Sequence, residues 1–183
     1  MQGEVLLVTS AIIDDLSREP PFAAIGSKWR LFTDQVMGGA SKGTMVRDAI
    51  AGRPAIRMRG DVSLENNGGF VQIVLDLSPD GGAVDASGRR DIELDIFGNG
   101  EEYGFHTRAD ALTKPRQSYR QNLTAQAEWR TVRLPFDRFV PYRTDVLLDT
   151  RRLRRIGVVA IGRAFAPDLA LGRLGFMILP RLA

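Results

Sequence analysis

The chain has 183 residues, of which 44% are hydrophobic and 26% are charged, so it is large enough for one globular domain with a buried core. It contains no cysteine, which excludes disulfides, thiolate metal sites and a cysteine nucleophile. The net charge is +3, but the basic cluster in residues 151–155 has no interleaved aromatic residues and no nucleic-acid-binding motif around it. We therefore expect no nucleic acid partner.

The first 28 residues contain one short apolar stretch and a proline pair. Residues 5–13 are apolar enough for a strand or a helix, and Pro20-Pro21 forces an extended connection after them. No basic segment precedes the apolar stretch, which is therefore not typical of a secretory signal. No apolar run reaches the roughly 18–20 residues that span a membrane. We predict a cytoplasmic protein that does not span a membrane, with residues 1–28 as a lead-in that packs on a domain formed by residues 29–183.

Residues 29–41 contain an apolar pair, Val36-Met37, that runs directly into Gly38-Gly39. Glycine tolerates positive φ and allows close approach of another backbone or a ligand. Asp34 and Ser41 flank the pair and are predicted to bond free backbone N–H groups, with Val36 and Met37 buried across the mouth of the fold. A structural turn and a binding loop both fit this pattern. The candidate binding residues of the loop are Asp34, Met37, Gly38, Gly39 and Ser41.

From Trp29 onward, short segments of alternating apolar and polar residues are separated by turn signals. No amphipathic helix of ordinary length is visible, so the crossover helices of a parallel sheet are missing. Residues 78–90 are predicted to form a surface loop, and Asp149 to cap a single helical turn. Strands are predicted at residues 44–46, 55–62, 70–77, 91–97, 103–108, 116–123, 128–136, 156–161 and 169–179. This pattern predicts an all-β antiparallel sandwich of the jelly-roll type.

Several motifs occur in an order that is similar to that of a known family. Trp29 and the run DQVMGGAS at residues 34–41 resemble the signature of the CIA30 family, the relatives of complex I intermediate-associated protein 30. The further matches are Gly69-Phe70, Gly98-Asn99-Gly100 before Tyr103, Ser118-Tyr119, Glu128-Trp129, Leu134-Pro135-Phe136 with Phe139, and a closing strand around residues 171–178. The resemblance extends from Trp29 to the C-terminus.

The resemblance implies a galactose-binding-domain-like jelly roll without established catalytic residues. The best-known members of the family help to assemble a membrane complex by binding protein partners. Some relatives carry a fused dinucleotide-binding domain, but this chain has no G-x-G-x-x-G after a strand. The segment at Gly38–Thr44 lacks the order of a phosphate-binding loop, because no lysine stands between Gly43 and Thr44. We therefore expect no cofactor.

A polar outer surface is predicted from the alternation of three strands. If Tyr103 and Phe105 face the core, then His106 and Arg108 face outward, and Arg120 does the same on the next strand. Glu93 and Asp95 face outward on the preceding strand. If these strands are neighbours in one sheet, their outer faces form one concave surface that could hold a sugar or a polar peptide. Cross-strand ion pairs on a solvated face are the other interpretation.

Three functions are consistent with these patterns. The first is a non-catalytic module that binds another protein, with respiratory complex I assembly as the case that the resemblance implies. The second is a carbohydrate-binding module that uses the surface around His106, Arg108 and Arg120. The third is a hydrolase that uses Glu93 or Asp95, whose spacing on one strand face is compatible with a glycosidase pair.

One histidine without cysteine supplies no zinc site, so no metal site is predicted. A structural Ca²⁺ is the alternative left open, because Asp34 or the loop with Asp80 and Asp85 could contribute some of the six or more oxygen ligands it needs.

Overall fold

The computed structural model describes residues 6–7 and 12–178. It is an all-β sandwich of two sheets, as the sequence predicted. The strands are β1 (Leu6–Leu7), β2 (Ile12–Asp14), β3 (Arg30–Thr33), β4 (Lys42–Ile50), β5 (Arg53–Asp61), β6 (Phe70–Asp76), β7 (Val84–Asp85), β8 (Arg89–Phe97), β9 (Glu102–Ala109), β10 (Ser118–Thr124), β11 (Arg130–Pro135), β12 (Val140–Tyr142), β13 (Leu153–Ile161) and β14 (Asp168–Ile178). Among these residues, no helix has the length and apolar character to cross a membrane.

The first sheet has eight strands, and its main body runs in the order β3, β6, β13, β9, β10 and β12. All the pairings in this body are antiparallel, while the short strand β1 pairs with β7 in parallel. The second sheet runs β11, β8, β14, β5 and β4, with β2 paired to β14. Strands β8 and β9 are consecutive in the chain but lie in different sheets.

The core lies between the two sheets and follows from the alternation of each strand. Tyr103 and Phe105 on β9 and Tyr119 on β10 are almost completely buried, and so are Ile92 and Leu94 on β8. All five belong to one hydrophobic cluster that contains residues of both sheets. Complete burial of a large apolar side chain contributes about 1.5–3 kcal/mol. The inward-facing residues therefore fix which face of each strand remains for binding.

Most predicted strands are present, with bounds that differ by a few residues. Asp149 caps the 3-10 turn Thr150–Arg152 by accepting from the Arg151 N–H, as predicted. The short strands β3 and β12 were not predicted. The predicted surface loop at residues 78–90 is wrong in part, because it contains β7 and buries Val84 and Ala86.

The N-terminal segment is described only in part. Leu6–Leu7 and Ile12–Asp14 are strands, and the rest of the apolar stretch 5–13 lies outside the described residues, as does Leu179 of the predicted closing strand. Asp14 accepts hydrogen bonds from the Trp29 indole at 2.8 Å and from the Ala24 N–H at 3.2 Å. The division into a lead-in of residues 1–28 and a domain of residues 29–183 stays a prediction.

Candidate functional site

Asp34 begins the 3-10 turn Asp34–Met37, which follows the edge strand β3. Its side chain is fully buried, and it accepts hydrogen bonds from the backbone N–H groups of Ser41, Gly69 and Phe70 and from the Ser41 hydroxyl. Burial by itself would raise the pKa of Asp34, but these hydrogen bonds outweigh that effect and hold the pKa below its ordinary value. The predicted bonding of Asp34 to the loop backbone is therefore confirmed through the Ser41 N–H. The same prediction for the Ser41 side chain is wrong, because its hydroxyl accepts from the Ser63 N–H at 2.9 Å, outside the loop.

Glycine is required at positions 38 and 39 of the loop for two different physical reasons. Gly38 ends the 3-10 turn with a φ of 84°, a conformation that favours glycine. A Cβ atom on Gly39 would stand 2.3 Å from Oδ1 of Asp34, so only glycine leaves room for the buried carboxylate. The loop thus folds around Asp34, and whether it also binds a ligand stays a prediction.

The predicted burial of Val36 and Met37 is wrong. Val36 is 70% exposed and Met37 48% exposed, because the inward member of this tight turn is Asp34. The sulfur of Met37 accepts a contact of 3.5 Å from a guanidinium nitrogen of Arg116, which precedes β10. These two apolar side chains are available at the surface beside the edge strand β3.

The predicted joint surface of Glu93, Asp95, His106, Arg108 and Arg120 is also wrong. Glu93 and Asp95 lie on β8 in the second sheet, whereas the other three lie on β9 and β10 in the first. Both carboxylates are in ion pairs. The shortest contacts are 3.0 Å from Glu93 to Arg133 and 2.7 Å from Asp95 to Arg53. The alternation within each strand was predicted correctly, but the sheet to which β8 belongs was not.

The candidate site is the outer face of the first sheet, on which strand register places a mixed set of side chains. Cross-strand partners form rows across the sheet. One row contains, in order, Phe32, Gln72, Val159, Gly104 and Asn122. The adjacent row contains Arg30, Val74, Gly157, His106, Arg120 and Val140. Val74 and Val159 are buried but lie outside the core cluster, which shows that the centre of this face is covered by its own longer side chains.

His106 lies at the centre of the outer face. A Cβ atom on Gly104 would stand 2.9 Å from its Nε2 atom, so the imidazole lies over Gly104. Burial, with a smaller contribution from the charge of Arg120, lowers the pKa of His106 to about 3. The ring is therefore neutral at physiological pH, with one nitrogen that donates and one that accepts.

Three polar side chains on this face make no hydrogen bond to other described residues of the protein. Within residues 12–178, Gln72 on β6, His106 on β9 and Asn122 on β10 form no side-chain hydrogen bond. Phe32 is the cross-strand partner of Gln72, and it stands at the edge of the sheet. The arrangement offers amide and imidazole groups to a ligand beside an aromatic ring.

Arg108 does not belong to the ligand-accessible set. Its guanidinium donates to the carbonyl groups of Lys114, Pro115 and Gln117 at 3.0, 3.1 and 2.6 Å, and more weakly to that of Leu112. Burial, together with the charges of neighbouring arginines, lowers its pKa. Arg108 therefore holds the loop between β9 and β10, and a binding role is not supported by its contacts.

Arg120 stands near the other edge of the sheet. Its guanidinium carbon lies 3.5 Å from the centre of the Tyr142 ring, and its Nε donates to the Ser118 hydroxyl at 2.8 Å. A shallow depression next to it is lined by Asn122, Arg138 and Val140. Tyr142 was missed from the sequence because β12 has only three residues, including Pro141. Phe32 was missed for the same reason, since β3 has four.

The part of the chain that the structure describes contains no group of three or more histidine, aspartate or glutamate side chains placed to hold a metal ion. Asp80, one candidate oxygen donor, instead accepts from the Ser78 hydroxyl and the Gly82 N–H.

A family model described as complex I intermediate-associated protein 30 (CIA30) matches residues 23–170. No curated protein matches the chain. The family 11 carbohydrate-binding module of cellulosomal cellulase Lic26A-Cel5E of Clostridium thermocellum superposes with a TM-score of 0.70, at 16% identity over 92% of this chain and 94% of that chain. The family 11 module from Clostridium thermocellum in complex with a β-1,3-1,4-mixed-linked tetrasaccharide superposes with a TM-score of 0.69. Its sequence identity is 16%, over 91% of this chain and 94% of that chain.

A more distant structural neighbour is the family 30 carbohydrate-binding module of cellulosomal cellulase Cel9D-Cel44B of Clostridium thermocellum. Its TM-score is 0.58 at 15% identity, over 74% of this chain and 82% of that chain. At these identities the likeness establishes the fold alone. It confirms the predicted galactose-binding-domain-like jelly roll.

Proposed function

The chain belongs to the CIA30 family, whose model spans most of its length, and from this membership we propose that it is a non-catalytic module that binds another protein. The family description names complex I, so an assembling respiratory complex is the first partner to test. The binding surface in this proposal is the outer face of the first sheet.

The observation that carries the proposal is the set of free polar groups on a partly covered sheet face. Polar side chains that are shielded from water are normally hydrogen-bonded within a protein. Gln72 and His106 are only partly exposed, yet within the described ranges neither forms a side-chain hydrogen bond. Exposed apolar side chains stand at both sides of this face, with Val36 and Met37 near β3 and Val140 on β12. A polar centre flanked by apolar groups suits a protein surface or segment.

The carboxylates and the histidine do not form catalytic constellations. Glu93 and Asp95 are each held in an ion pair by an arginine, at 3.0 Å from Arg133 and 2.7 Å from Arg53. His106 is the one histidine of the chain, and among the described residues no serine or threonine hydroxyl bonds to it. These contacts support binding rather than hydrolysis.

The test is capture of partners by the full chain in its native cells, with cross-linking followed by mass spectrometry. We expect specific proteins, with respiratory complex subunits among them, to be captured by the parent chain. The double variant Gln72→Ala/Asn122→Ala should lose them. The control Gln126→Ala removes an exposed amide that lies outside the strands of this face and should capture normally. Failure of the parent chain to capture any protein, or equal capture by the double variant, would contradict the proposal.

A carbohydrate-binding function is the second candidate, and the specific support is structural. The three structural neighbours described above are carbohydrate-binding modules, one of them in complex with a mixed-linked tetrasaccharide. Phe32 beside Gln72 offers an apolar ring next to an amide, a combination that suits the face and hydroxyl groups of a sugar. Calorimetric titration with a β-1,3-1,4-linked oligosaccharide tests this candidate. Binding that Phe32→Ala abolishes would support it, and absence of heat at millimolar ligand would remove it for this sugar class.

A further inference from the structure

Two arginines pack on one tyrosine at the edge of the first sheet, and a third acts on it through its charge. The guanidinium carbon of Arg120 lies 3.5 Å from the centre of the Tyr142 ring, and that of Arg143 lies 5.4 Å from it. Arg116 acts on the same side chain through its charge. We call Arg116, Arg120, Tyr142 and Arg143 the Tyr142 cluster.

The Tyr142 cluster contains no carboxylate. Across residues 12–178, none of its three arginines forms an ion pair. The basic cluster that the sequence suggested is different, because Arg151, Arg152 and Arg155 are paired with nearby aspartates. Arg120 and Arg143 lie against Tyr142 near β12, whereas Arg116 contacts Met37 beside β3. The uncompensated positive charge near β12 is therefore that of Arg120 and Arg143.

The titration of the neighbouring groups agrees with this charge balance. A hydrogen bond from Arg143, then the charges of Arg143, Arg120 and Arg116, lower the pKa of Tyr142. Burial lowers the pKa of Arg120. A carboxylate bound beside Arg120 would stabilise the charged guanidinium and raise this pKa again. An anion placed here would relieve both effects.

Exposed aliphatic side chains lie on β12 and in the segment that follows it. Val140, the cross-strand partner of Arg120, is 63% exposed, and Leu147 is 80% exposed. The segment that carries Leu147 is held in place, because the Tyr119 hydroxyl donates to the Leu147 carbonyl and the Gln117 amide donates to the Arg143 carbonyl. Exposed aliphatic side chains beside unpaired arginines match a partner that carries both carboxylates and apolar groups.

We propose that the Tyr142 cluster binds an acidic segment of a partner protein, with its carboxylates on Arg120 and Arg143 and its apolar side chains on Val140 and Leu147. This inference rests on the proposed protein-binding function and names the chemistry of the partner. A protein segment is favoured over an anionic oligosaccharide because sugar faces stack on aromatic rings, and the Tyr142 ring is already stacked against the Arg120 guanidinium, whereas the exposed aliphatic side chains can bury the apolar residues of a peptide.

The experiment selects peptides from a random phage-displayed library on the full chain and measures each selected peptide by fluorescence anisotropy. We expect peptides that combine Asp or Glu with apolar residues. Their affinity should fall at least tenfold in Arg120→Gln/Arg143→Gln and should weaken with added salt. The control Lys42→Gln/Arg59→Gln removes two exposed charges of the second sheet, neither of which is ion-paired within the described residues, and should bind within twofold of the parent. Circular dichroism melting verifies that both double variants are folded.

Selection of neutral or basic peptides, no selection at all, or equal binding by the Arg120/Arg143 variant would overturn the inference. Preferential binding of an acidic oligosaccharide such as polygalacturonate fragments would do the same, because it would assign the cluster to a different ligand class. The cellular capture experiment keeps the two proposals apart. Partners that depend on Gln72 and Asn122 but not on the two arginines would refute only this inference, whereas no captured partner would refute the proposed function.

Discussion

The carboxylate of Asp34 receives two hydrogen bonds from Ser41, one from its backbone N–H at 2.9 Å and one from its hydroxyl. Both residues are fully buried. Ser41 directly precedes β4 in the second sheet, and the other donors to Asp34, the N–H groups of Gly69 and Phe70, lie at the start of β6 in the first. One side chain therefore ties the two sheets together at this end of the sandwich.

Replacement of Asp34 by asparagine should destabilise the fold in a pH-dependent manner. The hydrogen bonds lower the pKa of Asp34 in the folded state, so their contribution is present above the ordinary carboxyl pKa and is lost as the pH falls through the lowered value. Asp34→Asn should lose about 2–3 kcal/mol of unfolding free energy at pH 7. Urea unfolding at pH 7 and pH 3 measures the difference, which should shrink in acid. An equal difference at both pH values would contradict the assignment.

The loop glycine next to Asp34 should not tolerate a larger residue. Because a Cβ atom on Gly39 would contact the Asp34 carboxylate, Gly39→Val should lower the unfolding free energy by about 2–4 kcal/mol. Gln35→Ala, in the same turn but exposed, should change it by less than about 0.5 kcal/mol. Thermal or urea unfolding of the two variants tests this pair. If both unfold like the parent, the loop is not the constraint described above.

His106 should remain neutral in acid. Its pKa of about 3 lies below the ordinary value of 6.5, so between these pH values the unfolded chain takes up a proton that the folded chain does not. Stability should therefore fall as the pH decreases through this window, and less so in His106→Gln. As the only histidine, His106 can be followed by NMR of its imidazole protons. A titration near pH 6.5 would show that the ring is not shielded as described.

Arg108 should control the order of the loop between β9 and β10. Lysine at this position keeps the charge but cannot reach several carbonyl groups with a planar fork. Arg108→Lys should therefore accelerate amide hydrogen exchange in residues 112–117 and cost about 1–3 kcal/mol of unfolding free energy. Arg130 on β11 forms an exposed ion pair with Glu128, so Arg130→Lys is the matched control and should leave that exchange unchanged. Unaltered exchange in Arg108→Lys would show that the loop is held by other contacts.

The sequence was most informative where a strand is long and one of its faces is buried. The alternation of Ile92, Leu94 and Ile96 with Glu93 and Asp95 correctly predicted β8 and its inward face. Alternation does not identify which sheet a strand joins, however, because a strand of either sheet presents the same pattern to the shared core. The turn between β8 and β9 crosses from one sheet to the other, and for this reason the predicted joint surface failed.

Parts of the candidate site could not be predicted from the sequence. Phe32 and Tyr142 lie on strands that are too short to show a period. The exposure of Val36 and Met37 depends on the burial of Asp34, and a buried aspartate is recognisable only from the three backbone donors that surround it in space. The charge imbalance near Tyr142 likewise emerges only when the ion pairs of the other arginines are known.

The edge strand β12 carries Pro141, which has no backbone N–H to donate. An edge strand with a full set of donors and acceptors can act as a template for strands of other molecules. At β12 the proline interrupts that set, beside side chains that are apolar and exposed. This margin of the sheet thus presents exposed apolar side chains with one backbone donor fewer than a strand without proline would have, which disfavours pairing with strands of other molecules.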